Sequence, residues 1–172
     1  GYLYVKDFLF DASARQRPSL HGLERRALFV LESSDGLAAL RAMVRHGIKA
    51  AYPSISRQIR GTSFHDLSAD ERVELLKTSI MLSPEHGEPL VVELVKKGGV
   101  FRSQGRESSR TLAAQVLGEL SNSEATIETL RELAQARWGI SEETRAASST
   151  AASQIHARRG RSVAPPSSGG RS

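Results

Sequence analysis

Few residues in this chain could do chemistry. The five histidines, at 21, 46, 65, 86 and 156, show neither the His-x-x-x-His spacing nor the acid pairing of a metal site. His65 stands beside Asp66, a pair that reads as a turn rather than a base, and His86 falls where a helix would start. The absence of cysteine excludes disulfides, cysteine-ligated zinc and thiol nucleophiles. No Gly-x-Ser-x-Gly nucleophile turn is present. Asp70, Glu71 and Glu74 cluster at an expected helix start, where acids offset the macrodipole. No catalytic residue, cofactor or metal ligand set is expected.

Arginine and tryptophan carry the remaining candidates. The run from Gly98 to Arg106 combines glycines with Arg102 and Arg106 ahead of a helix that opens near Arg110. Glycine-rich backbone at a helix start can cradle an anion, but the run matches neither a Walker loop nor a dinucleotide fingerprint. A linker with solvated arginines is the preferred reading. Arg72, Arg110 and Arg145 each open a similar stretch. They could form a ladder for an acidic partner, yet charged residues at equivalent repeat positions usually hold neighbouring units together. Trp138, the one tryptophan, could anchor a partner, although packing against the alanine-rich helix after it is the preferred role. The candidate partner or anion contacts are therefore Arg102, Arg106, Arg110 and Trp138.

The elements that must position these residues are helical from Pro53 onward. Ser54 is placed to cap a helix running to about Phe64. Ser68 and Glu71 have capping-box spacing, and Val73, Leu76 and Ile80 follow at helical period. Pro89 places the next helix start near Gly87, with Leu90, Val91, Leu94 and Val95 inward. Helices over 108–120, 124–138 and 141–155 follow, the second opening after Ser121–Glu124 and the third capped by Ser141. Upstream, residues 2–10 read as a short strand or apolar arm, with a helix as the rival. Helical patterns at 20–31 and 37–44 precede a second short strand at 48–52. Residues 1–52 are expected as an atypical cap or a small α/β piece, 53–157 as helical repeats, and 158–172, which is Arg, Ser, Gly and Pro-rich, as disordered.

The arginines mark a repeat. Arg72 and Arg110 stand 38 residues apart and Arg110 and Arg145 35 apart, while Val91, Glu93 and Leu94 fall on Leu130, Glu132 and Leu133 at 39. Such a period is that of stacked helix pairs, each with an apolar face that only a neighbour can cover. The segment Arg110-Thr-Leu-Ala-Ala-Gln-Val-Leu-Gly118, followed by a polar turn and Ile127-x-x-Leu130, resembles the HEAT-like repeats of the phycobilisome-lyase type. Thr144-Arg145-Ala-Ala147 looks like the start of the next unit. The similarity covers roughly 68–156. The earlier unit departs from it, with Leu75-Leu76 in place of the small pair and Ile80 in place of the glycine. The resemblance implies an all-α fold, a short α-α superhelix of stacked hairpins, with room for one or two N-terminal strands. It implies no chemistry, because such repeats serve many binding roles, and nothing here matches the chromophore-attachment chemistry of lyases.

Composition bounds the function. The net charge of the 172 residues is +5, and Arg158, Arg159, Arg161 and Arg171 lie in an acid-free stretch, which leaves +1 for the rest. A nucleic-acid binder usually carries its basic patch on the domain. No run approaches the roughly 18 to 20 apolar residues that span a bilayer, and no signal peptide is expected after Gly1. A cysteine-free chain fits a reducing compartment, and a cytoplasmic location is expected. The expected function is non-catalytic protein–protein interaction or scaffolding, with another protein or a sister copy as partner. The alternative is a nucleic-acid-binding HEAT-like domain, glycosylase-like, assisted by the basic tail.

Overall fold

In the computed structural model, residues 36–97 and 104–163 are described. They form seven α-helices: α1 (Gly36–Arg45), α2 (Tyr52–Arg60), α3 (Ala69–Leu82), α4 (Pro84–Lys96), α5 (Gln104–Leu120), α6 (Glu124–Gln135) and α7 (Glu142–Val163). Two 3-10 turns, Lys49–Ala51 and Thr62–Asp66, complete the set, and no strand occurs among the described residues. The fold is all-α.

The helices alternate between two rows. α1, α3, α5 and α7 make the first row, each packing on the next; α2, α4 and α6 make the second, each packing on the first-row helix that follows it. The core is one continuous cluster running from Leu40 to Ile155. Ile55, Phe64, Leu76, Val91, Ile127 and Leu130 are fully enclosed. Each such side chain contributes about 1.5–3 kcal/mol relative to exposure. Ala113 and Ala114 are likewise at 0% exposure, and a Cβ on Gly118 would lie 2.8 Å from Ala151 Cβ. The small residues of the Arg110–Gly118 segment are thus small because α5 and α7 cross closely there.

Sequence caps set the helix starts. Ser68 and Glu71 complete the expected capping box on α3, Ser123 accepts from Thr126 N–H on α6, and Ser141 Oγ accepts from Thr144 N–H at 3.1 Å on α7. Three expectations are corrected. Residues 48–52 are a 3-10 turn running into α2, because Pro53 in the first helical turn pre-sets helical φ. α1 and α2 both pack on α3. α4 starts at Pro84, not near Gly87, and carries Pro89 inside it, at the cost of one ladder bond. α7 continues past Ile155 to Val163, through arginines expected to be disordered. Arg158 donates to Ser121 O at 2.6 Å, and Arg159 pairs with Glu124. These contacts tie the last turns of α7 to the start of α6. The segments expected at 2–10 and 20–31, the loop 98–103 with Arg102, and 164–172 lie outside the described residues.

The extended α7 makes a prediction. Gly160 is exposed and helical, and a Cβ there would meet nothing within 4 Å. Gly160→Ala is expected to raise helicity and add about 0.5–1 kcal/mol of stability, the propensity difference between the two residues. Circular dichroism with urea unfolding checks it; an unchanged spectrum contradicts a helix at that position.

Ion pairs also link neighbours along the stack: Arg41–Glu74 at 3.3 Å, Arg60–Glu93 at 3.8 Å, and Lys77–Glu119. Pairs this exposed contribute little energy. Glu88 on α4 accepts from Ser121 Oγ and from Thr126 Oγ1, and Tyr52 packs against His86 with ring centroids 5.9 Å apart. Each successive unit is therefore tied to the next at the edge where a first-row helix turns into its second-row partner.

Candidate functional site

The polar side chains that sequence reasoning marked for chemistry gather at the opposite edge, where each second-row helix returns to the next first-row helix. Two junctions are built there. In the first, Arg72 on α3 is buried and its Nη1 donates to Gly105 O at 3.1 Å and Ser109 Oγ at 2.8 Å on α5. Its Nη2 donates to Ser108 Oγ at 3.3 Å. Ser109 Oγ donates in turn to Gly105 O at 2.8 Å. Its single proton is thereby used, so the 3.0 Å contact with His65 Nδ1 has the imidazole as donor.

The second junction repeats this plan with an acid added. Arg110 on α5 is only 3% exposed. Its Nε donates to Val95 O at 3.0 Å, at the end of α4, and its Nη1 donates to Gly139 O at 2.9 Å ahead of α7. The same Nη1 meets both Glu107 oxygens, at 3.0 and 3.2 Å. Glu107 Oε1 also accepts from Ser141 N–H at 2.8 Å and Thr144 Oγ1 at 3.2 Å. Burial pushes the Glu107 carboxyl up, but the Ser141 amide and the Arg110 guanidinium outweigh it and hold the pKa below its ordinary value.

The structural reading of Arg72 and Arg110 therefore holds. Arg110 is not available to an anion or partner, which corrects its place among the candidate contacts. Arg145 does not repeat the plan: it is half-buried and its Nε is enclosed without a partner. Arg106 is exposed in the first turn of α5, close enough to His65 to affect it. Of the candidate contacts, Arg102 lies outside the described residues, and Arg110 turns inward, away from Arg106.

The expected place of Trp138 is corrected as well. It was expected to pack on α7; instead it is 89% exposed. It lies between Ala136, which ends α6, and Gly139, whose φ of +81° is a left-handed conformation that suits glycine. Gly139 O is gripped by Arg110, and Ser141 N–H by Glu107. The connection carrying the indole is thus fixed to the core at Gly139 and Ser141, just beyond it, with the ring directed to solvent.

Two serine–histidine contacts invite a catalytic reading, and geometry refuses both. Ser109 is fully buried, and its hydroxyl proton is committed to Gly105 O. Ser83 Oγ lies 3.1 Å from His86 Nδ1 and 3.1 Å from Glu85 Oε1, while Glu85 also faces that same Nδ1 at 3.6 Å. A relay needs serine and acid on opposite ring nitrogens. Among the described residues no group of three or more His, Cys, Asp or Glu side chains is placed to hold a metal, and no helix is long and apolar enough to cross a membrane.

The first junction is pH-sensitive. Burial, then Arg106 and Arg72, lowers the His65 pKa from its ordinary 6.5, against a weaker opposing pull from Asp66. A folded pKa below the unfolded one means that the unfolded chain takes up the proton first. Stability is therefore expected to fall as pH drops from 6.5 through the folded pKa of His65. Urea unfolding between pH 7.5 and 5 should show this slope in the native protein and a flatter one in His65→Gln.

Sequence reasoning missed Glu107 and Glu88, and it weighed His65 with Asp66 without its partner Ser109. Glu107 stands three residues before Arg110, a helical spacing that places the pair on one face. Glu88 gives no signal in the sequence, because its partners lie 33 and 38 residues away. Compared with known proteins, the chain matches no family model, no curated protein and no solved structure.

Proposed function

We propose that this chain is a non-catalytic interaction module, a helical-repeat scaffold of the HEAT-like kind that its Arg110–Gly118 segment resembles, with Trp138 as its anchor for another protein. The observation that carries this reading is the 89% exposure of the one tryptophan on a connection fixed by the buried Arg110 and the half-buried Glu107. Covering an indole of about 200 Å² at about 25 cal/mol per Å² is worth on the order of 5 kcal/mol. A partner that supplies the cover gains that energy, and the connection is already ordered. The polar groups that might otherwise suggest catalysis are engaged in holding units together.

Trp138→Ala tests the reading. Its stability is expected to change by less than about 0.5 kcal/mol, as for exposed positions away from the core. Affinity for a protein captured by the full chain is expected to fall by about 30-fold or more, the loss typical of a central aromatic anchor. Equal capture by both forms would remove Trp138 from the interface and overturn the proposal.

A further inference from the structure

The first row ends on a helix whose far side is bare among the described residues. α3 is covered by α5 and α5 by α7, whereas the partners of α7 are α5 and α6. The inner side of α7 carries Thr144, Ser148, Ala151 and Ile155, all buried. Its outer side carries Ala146, Ser149, Thr150, Ser153 and Ala157, all exposed. At the 35-residue offset that sets Arg145 on Arg110, Ala146, Ser149 and Ser153 fall on Thr111, Ala114 and Gly118. Those three are where α5 receives α7. Thr111 Oγ1 lies 2.9 Å from Thr144 Oγ1, Ala114 is fully enclosed, and a Cβ on Gly118 would meet Ala151. α7 therefore repeats the receiving surface of α5 with no described helix on it. Arg145 agrees: Arg110 reaches forward to Gly139 O of the next unit, while Arg145 leaves its buried Nε without a partner.

The charges on this surface say what fits it. Glu142 and Glu143 open α7 and Arg161 closes it. All three are exposed, and none has a partner among the described residues. Glu143 and Arg161 stand 18 residues apart, five whole turns, so both project from one line along the helix. A copy of α7 laid antiparallel across the surface sets Arg161 against Glu142 and Glu143 at both ends. The same two-fold sets Ala146 against Ala157 and Thr150 against Ser153, so no bulky side chain holds the helices apart. Small residues at a crossing let helix axes approach to about 8 Å, and opposed macrodipoles favour the antiparallel sense. A parallel copy would set glutamate on glutamate and arginine on arginine.

We infer that the outer side of α7 is a two-fold interface between copies of this chain, with Glu142 and Glu143 of each copy facing Arg161 of the other. The inference does not rest on the anchor role of Trp138 and adds a second surface to it. An isologous contact uses itself up, so assembly closes at a dimer. Two helices of 22 residues meet along about 30 Å. That is small beside the roughly 1,200 Å² at which standard interfaces begin, so the dimer is weak, with a dissociation constant on the order of tens of micromolar.

Sedimentation of the full chain up to about 1 mM, well above that constant, should show monomer giving way to dimer and nothing larger. Added salt should weaken the dimer, because its end contacts are exposed ion pairs. Arg161→Glu, and separately Glu142→Arg with Glu143→Arg, should each weaken it about tenfold or more, since each sets like charges together at both ends. Mixed in equal amounts, these two forms should pair about as tightly as the native chain, because every arginine again faces a glutamate. Ser153→Lys, exposed in the monomer and central in the dimer, should lose the dimer while keeping native circular dichroism and urea unfolding, which separates lost association from lost fold. A chain that stays monomeric throughout, one that grows beyond dimers, or a mixture of the charge variants that does not associate overturns the inference. A monomer is also the result expected if another segment of the same chain, such as residues 164–172, covers α7.

Discussion

Arg110→Met is expected to cost the fold about 3–5 kcal/mol, the range found when one partner of a buried ion pair is removed. Methionine keeps much of the volume, so the loss is electrostatic. It leaves Glu107 without its cation, and Val95 O and Gly139 O without their donor. For a chain of this length the melting temperature should fall by on the order of 10 °C. The double variant Arg110→Met with Glu107→Gln separates pair energy from the penalty of a stranded charge. It should recover part of the loss, because no uncompensated carboxylate remains. Arg145→Met supplies the contrast. That arginine holds the equivalent sequence position, yet its buried Nε has no partner, and less than about 1 kcal/mol is expected at such a half-exposed site. Urea unfolding of the four proteins decides the matter. A cost for Arg110→Met no larger than that for Arg145→Met would mean that the junction is not held by this guanidinium.

The contrast between Arg110 and Arg145 also shows what a sequence can reveal of such a fold. Helix existence was legible wherever a capping residue met an apolar period, as at Ser68, Ser123 and Ser141, because these signals act within one turn. The burial of Arg72 and Arg110 was legible from their repetition. Which atoms they hold was not: Gly105 O and Gly139 O come from the next unit, and a one-dimensional pattern does not encode the distance between units. Trp138 was misread for the same reason. The alanines after it suggested room for a ring, but Ala151 and Ala152 are small because α5 and α6 lie against them, and no space is left. The last turns of α7 were misread in the other direction. Composition argued for disorder, whereas Arg158 and Arg159 find acceptors at the start of α6 that only the folded stack presents.

The lowered pKa of Glu107 adds a second acid-sensitive element to that of His65, and the two lie at successive junctions. A depressed carboxyl stabilises the fold above its unfolded pKa, and that contribution is lost as pH falls through the lower folded value. The His65 contribution is lost earlier, below 6.5. Acid is therefore expected to loosen the contact between α3 and α5 before the one between α5 and α7, so the stack weakens from its first junction toward the connection that carries Trp138.

Gly87→Ala is expected to be the most damaging conservative change in the chain. At this point α4 presses backbone to backbone on α3: a Cβ would lie 2.1 Å from Ser79 O, 2.4 Å from its carbon and 2.7 Å from Ile80 N. No rotamer relieves such a contact, because the opposing atoms belong to a hydrogen-bonded helix. The two helices must separate by about 1 Å, unpacking Val91 from the core. Overpacking costs about 1–3 kcal/mol where side chains can adjust, and the upper end or more is expected here. The gain in helix propensity of about 1 kcal/mol offsets only part of it. Gly118→Ala should be milder. Its nearest obstacle, at 2.6 Å, is Gln154 Oε1, the movable end of an exposed side chain, although Ala151 Cβ at 2.8 Å gives less readily. Thermal unfolding of the two variants beside Gly160→Ala should thus rank them strongly destabilised, destabilised and stabilised. If Gly87→Ala melted with the native protein, α3 and α4 would have to lie further apart than this close approach allows. Pro89 would then also need another explanation, since its helix tolerates the missing bond within a segment that the contact at Gly87 holds in place.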